Sequence, residues 1–420
     1  MTTRRLAIAV GMLVALLCGL VAPSAGASGP EDGTAAAAAI ARAASCRGVS
    51  EATGTGLDAR PLSSLALRRC LKLNQIQVLG THNSYKEATT PQILDVLRGI
   101  DAAQANSLEY AHSPLPQQFD SEGIRQIELD VFADPAGGLY SKRVALNALG
   151  LPNPTPPDLL APGFKVLHVQ DIDFNSTCLT FVKCLDVVKT WSDAHPRHLP
   201  IAILVELKEG SIPDPFNLGF VTGPPIGAPE LDAVDAEIRS VFSEDQMITP
   251  DDVRGSHPTL ESAVTDGGWP TLADSEGKVL FLMDNSSKRD LYRAGRPSLE
   301  GRVLFTNATP GSPDAAFVEM NDAVGDLGAI QDLVREGYVV RTRADADTVE
   351  ARTGDTTTRD AALASGAQWV STDYPVPGRA IWSNYVATIP NGAPARCNPI
   401  NTGPRCRNDL LEKFRGRSHI

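Results

Sequence analysis

The feature that most constrains this chain is a recurring alternation. Short, β-branched apolar runs end in polar residues, and helix-like segments separate them. Eight such runs follow Leu71. Ile76–Leu79 leads into Thr81-His82-Asn83, Ile124–Ile127 into Glu128-Leu129-Asp130, Phe164–Leu167 into His168, and Ile201–Val205 into Glu206 and Lys208. Val279–Met283 ends at Asp284-Asn285, Val303–Phe305 at Thr306-Asn307, Tyr338–Val340 at Arg341 and Arg343, and Trp369–Val370 at Thr372-Asp373. Pro91–Ala105, Leu179–Ala194, Leu231–Phe242, Asp322–Glu336 and Thr358–Ser365 read as helices between them. Strands alternating with helices imply βα units and a parallel sheet. Eight units over about 300 residues imply an α/β fold of the (β/α)8 TIM-barrel-like kind, whose functional groups gather at the carboxyl ends of the strands. An open doubly wound sheet is the alternative. No Gly-x-Gly-x-x-Gly follows the first run to favour a dinucleotide-binding version of it.

The expected barrel spans residues 71–390. Ahead of it, Arg4 and Arg5 precede an apolar run from Leu6 to Val21, and Ala25-Gly26-Ala27 offers a cleavage site. That layout is a secretory signal peptide over 1–27, with a core too short for a comfortable membrane span. Cys18 follows Leu17 rather than a small residue, which argues against a lipid anchor. Residues 28–70 read as an N-terminal arm, with Ala35–Ala44 a helical candidate. Removal of the leader leaves six cysteines, and an even number in an exported chain implies disulfides. Proximity favours 46–70, 178–184 and 397–406, the last closing a stapled C-terminal tail over 391–420. The expected location is extracellular. The formal charge of −12 becomes −14 without Arg4 and Arg5. Nucleic acid, which needs a basic footprint, is thereby disfavoured, and membrane contact has to be local and transient.

The residues with chemistry sit at the run ends. Glu128 and Asp130 are two apart on a strand and face one side, so both carboxylates converge. With Asn83 and Glu206 they form a set of hard oxygen donors suited to calcium or magnesium, whereas zinc prefers imidazole or thiolate. The plain alternative pairs Glu128 and Asp130 with Arg125 or Lys208 in structural ion pairs. His82 and His168 flank the same acidic set, where an imidazole donates to a phosphoryl oxygen or protonates a leaving group.

Gly80-Thr81-His82-Asn83-Ser84-Tyr85, Ile127-Glu128-Leu129-Asp130, His168 and Leu204-Val205-Glu206 together resemble the X-region motifs of phosphoinositide-specific phospholipases C. Val340-Arg341-Thr342-Arg343-Ala344-Asp345 and Ser371-Thr372-Asp373-Tyr374-Pro375 add similarity to the secreted bacterial, calcium-dependent branch, over roughly residues 74–385. The resemblance implies one Ca²⁺ held by Asn83, Glu128, Asp130 and Glu206. It also implies Glu206 or Glu128 as base, His82 as stabiliser of phosphorane charge and His168 as acid toward the departing diacylglycerol. The implied substrate is phosphatidylinositol and the implied first product a cyclic inositol phosphate. Lys208, Arg341, Arg343 and Tyr374 are candidate substrate-binding residues. The fifth strand departs from the pattern: it carries Asp284 where enzymes that read ring phosphates place lysines, which favours the unphosphorylated lipid.

Three other readings compete. A glycerophosphodiester phosphodiesterase on the same barrel also uses Glu-x-Asp and two histidines. However, it opens with His-Arg-Gly, and here 37 residues separate Asp130 from His168. A glycosidase built on Glu128 and Glu206 leaves the histidines idle. A non-catalytic exported binding protein would not need the intact acidic set.

Overall fold

The computed structural model describes Cys46, Gly48, Val49 and residues 62–412. The expected leader and most of the expected arm, including Ala35–Ala44, lie outside the described residues. Among the described residues there are ten strands: β1 (Ile76–Thr81), β2 (Gln126–Phe132), β3 (Lys165–Val166), β4 (Ile201–Lys208), β5 (Val279–Met283), β6 (Leu304–Thr306), β7 (Phe317–Glu319), β8 (Val339–Arg343), β9 (Trp369–Thr372) and β10 (Ala395–Cys397). Eight of them run parallel in the order β6-β5-β4-β2-β1-β9-β8-β7. The two ends of this series meet through a parallel bridge between Asn307, just past β6, and Phe317. Asn307 fastens the seam further: its Oδ1 accepts from Glu319 N (3.1 Å) and its Nδ2 donates to Asp284 O (3.1 Å). The result is a nearly closed TIM-barrel-like fold.

The apolar runs form the inner wall because both faces of such strands are covered. Ile201–Val205 and Val279–Met283 have no exposed surface at all. Around them helices bury one stripe each. Phe181–Ala194, for instance, is capped by the Thr180 hydroxyl on Lys183 N and turns Phe181, Cys184, Leu185, Val188 and Trp191 inward. The segment expected as one helix over Pro91–Ala105 is two, Pro91–Ile100 and Ala102–Ser107. Asp101 between them accepts from Ala103 N and Gln104 N and so starts a new helix.

The count of eight barrel strands holds, but one member differs from the sequence expectation. Phe164–Leu167 is not a barrel strand: β3 pairs antiparallel with the far end of β2, Val131 opposite Val166 and Phe132 opposite Lys165. The place it was expected to fill is taken by β7, whose three residues lie in a stretch read as a connection. A three-residue strand carries too little period to announce itself. Consequently His168 leaves a hairpin over the barrel mouth rather than a barrel strand.

The tail expected as a stapled loop contributes β10, paired antiparallel with Ile76–Val78 of β1. There β1 and β2 diverge, sharing a single ladder position, Gly80 opposite Gln126. Disulfides join Cys46–Cys70, Cys178–Cys184 and Cys397–Cys406, the nearest-neighbour pairing. Among the described residues no helix is long and apolar enough to cross a membrane.

Candidate active site

The tip of β1 is tied down by its own sequence. Ser84 Oγ accepts from Glu128 N (2.8 Å) while Ser84 N donates to Glu128 O (3.0 Å), which locks the turn after β1 against β2. Within that turn Asn83 adopts φ of +47°, a conformation asparagine tolerates better than most residues. Asn83 Nδ2 donates to the Tyr110 hydroxyl (2.8 Å), and its buried Oδ1 has no hydrogen-bond partner. His82 presents Nδ1 to Asp373 Oδ1 (3.0 Å) at the tip of β9, and its Nε2 lies 3.7 Å from Glu128 Oε1. Burial, then the charges of Arg343 and Arg341, hold its pKa well below the ordinary histidine value.

Across the mouth, His168 is set by a tight turn in which Val169 and Asp173 exchange two backbone hydrogen bonds of 2.9 Å. That turn aims Asp173 Oδ2 at His168 Nδ1 (2.8 Å). Asp173 is itself buried, which would raise its pKa. The ammonium of Lys86 at 3.3 Å and the His168 hydrogen bond outweigh that and hold it lowered. Lys86 has no exposed surface and also donates to Leu108 O (3.0 Å) and Tyr110 O (2.8 Å).

Between the histidines lie the acids. Glu128, Glu206 and Asp284 bring one carboxylate oxygen each within 4.8 Å of the others. Burial, then the crowding of like charges, drives Glu128 up to about 7 and Asp130 well above its usual range. Asp284 rises to about 10, through burial and its hydrogen bond with Glu319. Oδ1 of Asp130 has no hydrogen-bond partner. Acids held against their own ionisation, with an unpartnered Oδ1 on each of Asn83 and Asp130, match the donor set a calcium ion takes.

The cations named from sequence are already engaged. Lys208 Nζ bridges Glu206 Oε1 (3.0 Å) and Asp130 Oδ2 (3.4 Å), the structural pairing foreseen as the alternative for Asp130. Arg125 is not part of it, being bound to Glu412. Arg341 is 2 % exposed, with one nitrogen on Glu128 (2.6 Å) and the other on Glu319 (2.6 Å) and Asn321 (2.7 Å). Its guanidinium is turned to protein carboxylates instead of the open mouth. Arg343 pairs with Asp373 (3.3 Å). Tyr374 is 1 % exposed and packs beside Tyr110 and Tyr385, away from the carboxylates in a small apolar cluster.

A family model described as "Phosphoinositide phospholipase C, Ca2+-dependent" matches residues 71–399. The chain belongs to this family. It is therefore a calcium-dependent phosphoinositide phospholipase C, a phosphodiester hydrolase whose cofactor is Ca²⁺. Solved structures similar to this phospholipase C include a calcium-dependent phosphoinositol-specific phospholipase C from the Gram-negative bacterium Pseudomonas sp. In its crystal form 2 it is 18 % identical over 79 % of this chain and 96 % of that one, with a TM-score of 0.47. Its myoinositol complex is 18 % identical over 80 % and 100 %, also at 0.47. A Ca²⁺-dependent phosphatidylinositol-specific phospholipase C from Streptomyces antibioticus is 19 % identical over 74 % and 97 %, at 0.44. No curated protein matches the chain.

In this phospholipase C the structure brings together His82, Asn83, Glu128, Asp130, Glu206 and Lys208, with His168 facing them. It adds residues that sequence reasoning left without a role. Asp373 ends a strand and was legible by position. Asp284 was legible too, but as an oddity rather than a member of the acidic set. Glu319 lies on the unrecognised strand. Lys86, Asp173 and Tyr110 come from turns, where only the tertiary fold shows what they reach.

Proposed function

We propose that this enzyme cleaves unphosphorylated phosphatidylinositol to diacylglycerol and a cyclic inositol phosphate. The reading rests on one arrangement: a buried carboxylate cluster flanked by two histidines, each held by its own aspartate. Bound calcium would supply a Lewis acid that withdraws charge from the phosphodiester and acidifies the ring 2-hydroxyl. Asn83, Glu128, Asp130 and Glu206 would hold the ion, with Asp284 completing the cluster. Glu206, the acid at the open side of that cluster, takes the hydroxyl proton. His82, oriented through Nδ1 by Asp373, donates to the phosphoryl oxygen from an Nε2 that the bound anionic phosphodiester keeps protonated. His168, oriented by Asp173, protonates the departing glycerol oxygen. Lys208 is positioned to offset the charge of Asp130 and Glu206, while Arg341 braces Glu128 and Glu319 rather than reading the lipid.

The preference for the unphosphorylated ring follows from charge. Lys208, Arg341 and Arg343 each face a carboxylate, and Asp284 and Glu319 stand at the mouth. A ring phosphate would meet acids there, whereas ring hydroxyls find acceptors. We further propose export, consistent with three disulfides, and transient contact with the lipid surface at the barrel mouth. Phosphatidylinositol vesicles supplied with calcium should release cyclic inositol phosphate, and chelator should stop it. Chelator-insensitive release would remove the metal from the scheme. Faster turnover of the bisphosphorylated lipid would refute the preference.

A further inference from the structure

Beside the catalytic mouth lies a groove of about 490 Å³. One side is the helix Pro91–Ile100, the other the loop holding Arg379, Ile381 and Trp382, and the floor is made by Leu108, Tyr110 and Tyr374. Its size falls within the roughly 300–1,000 Å³ of ligand pockets. Its floor is buried: Leu108 is 5 %, Tyr110 6 % and Tyr374 1 % exposed. At its rim Ile381 is 79 % exposed, the highest among the exposed large apolar side chains.

The groove carries no spare charge. Arg98 is paired with Asp95 and Glu109, and Arg379 with Glu122. An anion would gain nothing there. An uncharged apolar chain would displace water from Leu94, Leu108 and the tyrosine rings without stripping any ion of its partner. The groove also shares walls with the catalytic groups. The Tyr110 hydroxyl lies 3.2 Å from His82 Nδ1. Thr89, which also lines the groove, donates to Asp173 Oδ1 (2.6 Å), and Asp173 in turn holds His168.

We propose that this groove takes one acyl chain of the lipid substrate, anchoring the diacylglycerol half while the headgroup lies on the carboxylate cluster. The inference rests on the phospholipase reading above and adds to it a second subsite, specific for the half of the substrate that leaves. The groove adjoins both histidines, His82 through Tyr110 and His168 through Thr89 and Asp173.

The test uses monomeric substrates. Dibutanoyl and dihexanoyl phosphatidylinositol, both held below their micelle concentrations, would be compared with glycerophosphoinositol, which has the same headgroup and no chain. Two further methylenes in the groove should raise kcat/KM by about tenfold, each buried methylene being worth up to about fourfold. Ala111→Phe, which narrows the groove, and Ile381→Ser, at its exposed rim, should both bring the dihexanoyl-to-dibutanoyl ratio toward one. A purely structural defect would depress both lipids equally and leave the ratio intact, which would overturn the proposal. A wild-type ratio near one, with glycerophosphoinositol still cleaved, would remove the groove and leave the function standing. So would an effect of Ile381→Ser confined to vesicles, because that outcome marks the rim as a surface anchor. Failure to cleave any of the three substrates would take down the phospholipase reading and the groove with it.

Discussion

His168 works through a chain of buried partners, and its chemistry depends on them. Asp173 accepts from the ring at 2.8 Å, and Lys86 neutralises Asp173 from 3.3 Å without any contact with solvent. Asp173→Asn should preserve the fold but misorient the ring, lowering kcat by about 10²-fold with a smaller change in KM. The pH dependence of kcat should change, and an unchanged profile would show that the pair is merely structural. Removing the positive charge is a different matter. Lys86→Met strips the buried Asp173 carboxylate of its ammonium, leaving His168 and Thr89 as partners, and should cost about 3–5 kcal/mol in denaturant unfolding. Replacing either histidine by glutamine should cost about 10²–10⁴ in rate at nearly constant stability.

Among the elements, the meeting of β1 with β2 is the most demanding. A Cβ on Gly80 would stand 1.8 Å from Gln126 Oε1 and 3.0 Å from Gln126 Cβ. Gln126 has no room to yield, since its amide donates to Ile127 O (2.9 Å) and accepts from Ser371 Oγ (3.1 Å) in the buried interior. Gly80→Ala should therefore destabilise the barrel by about 1–3 kcal/mol. Because His82 and Asn83 follow two and three residues later, activity should fall more than stability alone explains. A variant as stable as the parent would show that the two strands part freely. The β3 hairpin and β7 illustrate the converse: an apolar run can leave the barrel, and three residues can enter it, when neighbouring strands supply the missing hydrogen bonds.

At the scale of the whole molecule, buried ionisable groups set how stability responds to calcium and pH. Calcium at a hundredfold excess over its Kd should add about 2.7 kcal/mol to unfolding, read as a rise in Tm that chelator reverses. Glu206→Gln should shrink that rise. Acid should act separately. His198, buried between Ser192 (2.7 Å) and Leu199 O (2.6 Å), has a pKa pressed down to about 4, and burial presses His112 to about 3. The unfolded chain, with histidines near 6.5, binds more protons in that interval. The stability these residues contribute is complete above about pH 6.5 and is lost as pH falls toward 4. In calcium-saturated buffer Tm should decline over that window, and His198→Gln should flatten the decline.

The order of elements, the barrel class and the acids and histidines at strand ends are local properties. Apolar period and residue type along the chain suffice to read them, and so for His82, Asn83, Glu128, Asp130 and Glu206 the sequence alone places each at a mouth. What it could not decide is pairing. Whether Phe164–Leu167 joins the barrel depends on strand partners elsewhere in the chain, Val131 and Phe132, and whether Phe317–Glu319 does depends on Val339–Arg341. Arg341 shares its strand tip with Arg343, and only the closed barrel shows that Glu128 and Glu319 already hold it. Asp173 and Lys86 gain meaning from the turns that bury them together, because a charge's role follows from its distance to other charges and from the water it has lost.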